Sequence, residues 1–225
     1  MRLQTLFLQI KLRAGNSLYP SVAGFELWER CLDLYRDKIH WLCRMVMRSM
    51  KDSRNIYLIG PMGAGKTTVG RQIAKHLSLD FYDSDLEIES RTGVDIPMIF
   101  EYEGEDGFRK RESTMIAELI RLSPIVMATG GGAVLDKENR QFLSENGFVV
   151  YLQCSINRLL QRTAWDNHRP LLNEGSPRAK IEGLMEVRSP LYESCADFIV
   201  NTGNLSTRLA VKQIIEVFQS SSNNH

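Results

Sequence analysis

Residues 55–74 read NIYLIGPMGAGKTTVGRQIA, and this stretch decides the fold class. Asn55–Gly60 is an apolar run closed by glycine, the pattern of a buried strand. Lys66–Leu77 then carries apolar residues at helical spacing. Between the two, residues 60–67 satisfy G-x-x-x-x-G-K-[ST] at every position. Glycines at such a strand–helix junction let backbone N–H groups turn inward, making a concave anion site at a helix N-terminus. Lys66 reaches the β- and γ-phosphates of a nucleotide, and the Thr67 hydroxyl suits Mg²⁺. The motif predicts a bound nucleotide phosphate with magnesium and leaves the acceptor open.

Downstream, strand and helix patterns alternate. Asp80–Tyr82, Pro124–Ala128, Phe148–Leu152 and Phe198–Val200 read as further strands. Ser84–Arg91, Ile96–Glu103, Glu105–Leu122, Lys137–Asn146, Ile156–Arg162, Pro177–Arg188 and Leu205–Phe218 read as helices. Thr163–Ser176 is a polar loop, and residues 220–225 form a polar tail. Such alternation predicts an α/β protein with a parallel sheet covered on both faces.

Ligands of open parallel sheets lie beyond the carboxyl ends of the strands, so the residues there are the candidates for binding the acceptor. The second strand runs into FYDSD (81–85). Asp83 and Asp85 are two apart, so in an extended segment both carboxylates fall on one side. One can hold magnesium through water while the other accepts a bond from a substrate hydroxyl; a helix-capping turn is the plain alternative. The third strand ends in Thr129 followed by Gly130, Gly131 and Gly132. Three glycines in a row carry an entropic cost and suit a place where another molecule approaches the backbone. Arg109 and Arg188 together can clamp a carboxylate bidentately. Arg169, in HRPLL (168–172), sits in the polar loop. A mobile lid there would close over ATP, exclude water and bring Arg169 to the charge on the transferring phosphoryl group.

The rest of the composition narrows the class. The 225 residues are 43% hydrophobic and 24% charged, with net charge +1. This balance gives no reason to expect a nucleic-acid or acidic-membrane partner. No apolar run approaches the roughly 18–20 residues of a membrane span. Cys31, Cys43, Cys154 and Cys195 form no C-x-x-C pair and have no histidine at zinc-ligand spacing, so they read as reduced thiols of a cytoplasmic protein. Residues 1–50 differ from the remainder: eight basic against four acidic residues, and two of the three tryptophans. Within them Phe25–Val46 has amphipathic helical spacing.

Taken in order, GPMGAGKTTVGRQIA, FYDSDLEIE, FEYEGEDGFRKRE, ATGGGAV, RPLL and RSPLYE resemble the shikimate kinase family of bacterial type, over about Arg54–Gln219. The first piece is shared by many nucleotide-binding proteins; the whole series in order is specific. Gluconate kinases and adenylate kinases share the phosphate loop and lack the GFR, triple-glycine and R-x-P-L-Y elements. The resemblance implies a doubly wound five-stranded parallel sheet of the nucleoside-monophosphate-kinase kind with a mobile lid, in a monomeric cytoplasmic enzyme. It implies the reaction ATP plus shikimate to ADP plus shikimate 3-phosphate, in aromatic amino-acid biosynthesis, with Mg²⁺ accompanying ATP. By the same resemblance Gly63, Ala64, Gly65, Lys66, Thr67 and Thr68 hold the ATP phosphates. Thr67 binds the metal and Asp83 assists through water. Asp85, Arg109, Gly130, Gly131, Gly132 and Arg188 bind shikimate, the arginines taking its carboxylate. Lys66, Asp85 and Arg169 are then the catalytic set, Arg162 lies along the adenine, and Phe100 and Phe108 line the substrate pocket. Residues 1–50 fall outside the resemblance, which makes 51–219 the kinase domain. The loop near Asn201–Leu205 varies too much in the family for its contacts to be transferred.

Overall fold

The computed structural model describes residues 55–163 and 176–222. A five-stranded, wholly parallel sheet runs through them in the order β2-β3-β1-β4-β5. Its strands are β1 (Ile56–Ile59), β2 (Asp80–Asp83), β3 (Ile125–Ala128), β4 (Phe148–Gln153) and β5 (Phe198–Asn201). The helices are α1 (Lys66–Leu77), α2 (Ser84–Thr92), α3 (Ile96–Leu119), α4 (Lys137–Asn146), α5 (Ile156–Thr163), α6 (Pro177–Cys195) and α7 (Thr207–Ser222). The chain leaves β1 toward β2, returns through β3 and then crosses β1 to reach β4. That reversal puts the topological switch point, and the crevice it opens, at the carboxyl end of β1.

The strands are continuous apolar runs because both faces are buried, and their two-residue period sorts the side chains between two cores. Ile56, Leu58, Val126, Val150 and Leu152 pack with Val69 and Ile73 of α1, Leu159 of α5 and Ile214 of α7. Tyr57, Ile59, Ile125, Met127, Val149 and Tyr151 face the other way, against Ile88 of α2, Met115 and Ile116 of α3 and Tyr192 of α6. Asn55 closes the amino end of the sheet. Its carbonyl oxygen Oδ1 accepts from Ile125 N at 2.9 Å, and its Nδ2 donates to Tyr57 Oη at 2.9 Å and to Asn146 O at 3.0 Å. No helix among the described residues is long and apolar enough to cross a membrane.

Two helices depart from the sequence reading. The helix expected to end at Arg188 before Pro190 continues as α6 to Cys195. Proline there removes only the bond to the Glu186 carbonyl, and Glu186 and Pro190 are both exposed, so the loss falls on the solvent side of the helix. The expected polar tail begins inside α7. Ser220 and Ser221 stay helical to the solvent side, their hydroxyls donating to the Val217 carbonyl at 2.8 and 2.9 Å. The helices expected over 96–103 and 105–122 join at Gly104, whose φ of 70° and ψ of −178° break the helix between them. The amphipathic segment Phe25–Val46 and the lid loop lie outside the described residues.

Candidate active site

The loop after β1 is shaped by glycines where other residues would be strained. Gly63 and Gly65 have φ of 76° and 95°, the left-handed region that favours glycine, and Gly65 is the N-cap of α1. The Lys66 ammonium donates to the Gly60 and Pro61 carbonyls at 2.8 and 2.9 Å. On the outer wall of the loop, Arg162 Nη1 donates to the Gly63 carbonyl at 3.0 Å. The Thr202 hydroxyl lies 3.1 Å from the Ala64 carbonyl. Arg162 and Thr202 also line a separate hollow of about 240 Å³ with Ala64, Gly65, Thr68 and Leu205.

Asp83 and Asp85 reach the site by a different local geometry from the extended pair the sequence suggested. Asp83 ends β2 and is the N-cap of α2, its Oδ1 accepting from Asp85 N at 3.2 Å; Asp85 is already in the first helical turn. Helix capping and site geometry are thus served by the same residue. The other oxygen of Asp83 accepts from the Thr67 hydroxyl at 2.6 Å. This juxtaposes two hard oxygen donors beside the phosphate loop. Magnesium is usually held by one or two protein oxygens, with phosphate and water oxygens completing its shell, so these residues fit it. Among the described residues no group of three or more His, Cys, Asp or Glu forms a protein-only metal cage.

Asp85 lies opposite the triple-glycine turn. A Cβ at Gly130 would fall 2.7 Å from Asp85 Oδ1 and 2.3 Å from Glu112 Oε1, and one at Gly132 would fall 2.4 Å from both terminal nitrogens of Arg109. Glycine here is a matter of space. Gly130 N donates to the Ser84 hydroxyl at 3.0 Å, whereas the Gly131 and Gly132 N–H groups donate to nothing among the described residues. Arg109 is held by Glu112, at 2.6 Å, and by Glu105, at 2.9 Å. Its guanidinium also stands 5.3 Å from the centroid of Phe108, which packs on Phe100 at 4.8 Å. Arg188 projects from α6 and is 5% exposed.

Burial pushes the Asp85 carboxyl up to about 7, and the negative charges of Glu112 and Asp83 add to the effect; Lys66 and Arg109 oppose it without cancelling it. Burial likewise raises Glu112 above the ordinary carboxylate range, against the pull of Arg109 and Arg188. Burial works against the charge on Arg109, but Glu112 and Glu105 outweigh it and hold the guanidinium above its usual value.

One cleft of about 470 Å³ joins these groups, within the range of small-ligand sites. Lys66, Thr67, Thr68, Asp83, Asp85, Arg109, Arg188 and all three glycines of the turn line it, as do Phe100 and Phe108. Arg162 stands instead over the second hollow, and Arg169 lies outside the described residues. The sequence reading missed Glu112, which is fully buried between Arg109 and the glycine turn. Its only trace in sequence is the i, i+3 spacing from Arg109, which many surface pairs share. Ser84, Thr202 and Tyr192 were missed for the same reason: each acts through a bond to backbone distant in the chain.

A phosphate cradle, a pair of metal-type oxygens, a buried carboxylate and two arginines in one crevice of a parallel sheet define a P-loop phosphotransferase for a small anionic acceptor. Residues 62–219 match the sequence profile of the family described as shikimate kinase, and the chain belongs to that family. Over 172 residues it is 56% identical to the shikimate kinase of Methylococcus capsulatus, covering 76% of this chain and 96% of the relative. It is 51% identical to the Haemophilus influenzae enzyme over the same shares. Among solved structures, the shikimate kinase of Acinetobacter baumannii in complex with shikimate matches with a TM-score of 0.73 and 45% identity, over 77% of this chain and 97% of that one. The five-stranded parallel sheet and its doubly wound architecture are those the resemblance implied.

Proposed function

We infer that this protein transfers the γ-phosphoryl group of ATP to shikimate, giving shikimate 3-phosphate and ADP in aromatic amino-acid biosynthesis. The observation that carries the residue roles is the single cleft in which the phosphate loop, Asp85 and the Arg109–Arg188 pair meet. Phosphoryl transfer depends on alignment and charge neutralisation more than on a strong base. Gly63, Ala64, Gly65, Lys66, Thr67 and Thr68 cradle the ATP phosphates, with Lys66 on the β- and γ-oxygens. Thr67 and, through water, Asp83 hold Mg²⁺, which neutralises phosphate charge when bound. Arg109 and Arg188 take the shikimate carboxylate. The Gly131 and Gly132 N–H groups face its ring substituents, Gly130 leaves room for the acceptor beside Asp85, and Phe100 and Phe108 pack on the ring. Asp85 orients the 3-hydroxyl. The hydroxyl oxygen forms the new bond to phosphorus as the bond to the β–γ bridging oxygen breaks, and Asp85 accepts the hydroxyl proton late. Arg162 lies along the adenine, and Arg169 keeps the place on ATP that the resemblance gives it and the phosphoryl-stabilising role that its loop suggests. In this reading the protein works in the cytoplasm as a monomer.

A coupled ADP-release assay with ATP and Mg²⁺, comparing shikimate with gluconate, tests this reading. Release with shikimate that disappears in Lys66→Ala is expected. Release with gluconate alone overturns the acceptor; release with neither overturns the activity.

A further inference from the structure

Three successive glycines bring no side chains of their own to hold the turn, which is braced by backbone bonds from Ala133 N to Gly130 O and from Leu135 N to Gly132 O. Its one side-chain anchor on the α6 side is Tyr192. The phenol donates to the Gly131 carbonyl at 2.5 Å. The same carbonyl belongs to the peptide whose N–H is Gly132, one of two donors lining the cleft that meet no acceptor among the described residues. A planar peptide moves as a unit, so fixing the Gly131 oxygen fixes the direction of the Gly132 N–H.

Tyr192 also follows Arg188 by four residues on α6, which puts both on one helix face. The Arg188 charge acts on the phenol, opposing the effect of burial. Tyr192 is fully buried, and its ring stacks on Tyr151 at 4.9 Å and 23°, so the hydroxyl has little freedom to point elsewhere. Burial raises the phenol above its ordinary range, which keeps it a donor across the working pH. A neutral hydroxyl thus bonds the backbone turn placed for the acceptor ring, from the same face of α6 that carries the arginine placed for the acceptor carboxylate.

We propose that Tyr192 is a positioning residue for the acceptor, its hydroxyl tying α6, the helix that carries Arg188, to the Gly131–Gly132 peptide in one preformed surface. It touches neither substrate, and the proposal rests on the assignment of shikimate as acceptor. Removing the hydroxyl leaves the turn to be ordered at the moment of binding, a cost that falls on the acceptor and not on ATP.

The test uses the full chain. Shikimate binding to the wild type, measured calorimetrically, comes first; no binding there sinks the acceptor assignment and not the role of Tyr192. In Tyr192→Phe, which keeps the ring and its stacking, Kd and KM for shikimate rise about tenfold, while KM for ATP stays unchanged. Tyr192→4-aminophenylalanine, which restores a donor, recovers most of the loss. Tyr151→Phe, whose hydroxyl plays no part in the turn, leaves shikimate binding as it was. A lowered melting temperature with unchanged shikimate Kd, or equal losses for both ligands, overturns the proposal. If Tyr192→Phe does not fold, the 4-aminophenylalanine variant decides: near-normal shikimate binding supports the role, and a tenfold loss refutes the donor function.

Discussion

Asp85 is a carboxylate in a place that disfavours its charge, and this has opposite consequences for stability and for turnover. Its pKa rises from 3.8 to about 7 through burial and the nearby Glu112 and Asp83 charges. Between those values the ligand-free folded protein holds a proton that the unfolded chain has released. Stability therefore falls as pH rises through that window, and the deficit is complete above about 7. Asp85→Asn removes it, so the ligand-free variant should melt at least ~2 °C higher than wild type above neutral pH, with a smaller difference below pH 5. Turnover should fall by ~10²-fold or more, because the amide cannot accept the hydroxyl proton. In the wild type, kcat/KM should decline as pH drops below about 7, with that limb missing from the residual rate of the variant. Unchanged turnover in Asp85→Asn would remove Asp85 from the mechanism, and an unchanged melting difference across pH would remove the electrostatic account. At this scale the sequence was legible where backbone geometry demands residue types. Lys66 and Thr67 are fixed by a loop only glycines can form, and Gly130 and Gly132 by the side chains that crowd them. Glu112 was not legible, because its burial comes from α3 lying against the glycine turn, and nothing local separates it from the exposed Glu105 on the same helix.

The helical elements show what a glycine and a proline each mean when read by context. Gly104 was legible as a break: its φ of 70° with ψ near 180° belongs to a region almost reserved for glycine. It lets Ile96–Glu103 turn away from the helix carrying Arg109, so that Phe100 can meet Phe108. Pro190 was misread as a stop, because proline forbids only one hydrogen bond and here the orphaned carbonyl is on the wet side of α6. The error is informative, since continuation of α6 through Pro190 puts Tyr192 on the same face as Arg188. A Cβ at Gly104 would meet nothing within 4 Å, so Gly104→Ala isolates the conformational cost. The expected loss is about 1–3 kcal/mol in chemical denaturation. KM for shikimate should rise with KM for ATP unchanged, since the strain is relieved by moving the Phe100 wall and the phosphate loop is untouched. Wild-type stability together with wild-type shikimate KM would mean that the break is not needed to shape the cleft.

We propose that the whole molecule divides at about residue 50, on the ground of charge and kinship. The first fifty residues carry a net +4 and the rest −3 on a chain of net +1. The family match begins at residue 62, and 172 residues of this chain account for 96% of the Methylococcus capsulatus relative. The sheet is complete between Ile56 and Asn201, and helices from α1 to α7 supply both cores that cover it. Every residue assigned to ATP, magnesium or shikimate lies after Gly60. Folding of the described residues is driven by burying those two cores, and we propose that the kinase domain does not need the basic extension. A chain starting at Met50 should therefore fold and turn over shikimate with kcat/KM within about threefold of the full chain, a difference below ~0.7 kcal/mol. Comparing the two chains in the ADP-release assay and in thermal melts checks this. A loss beyond about tenfold with an unchanged melting temperature would give the extension a part in the reaction itself. A lowered melting temperature would instead make it part of the fold, and in either case the boundary at residue 50 would no longer separate the kinase from the rest.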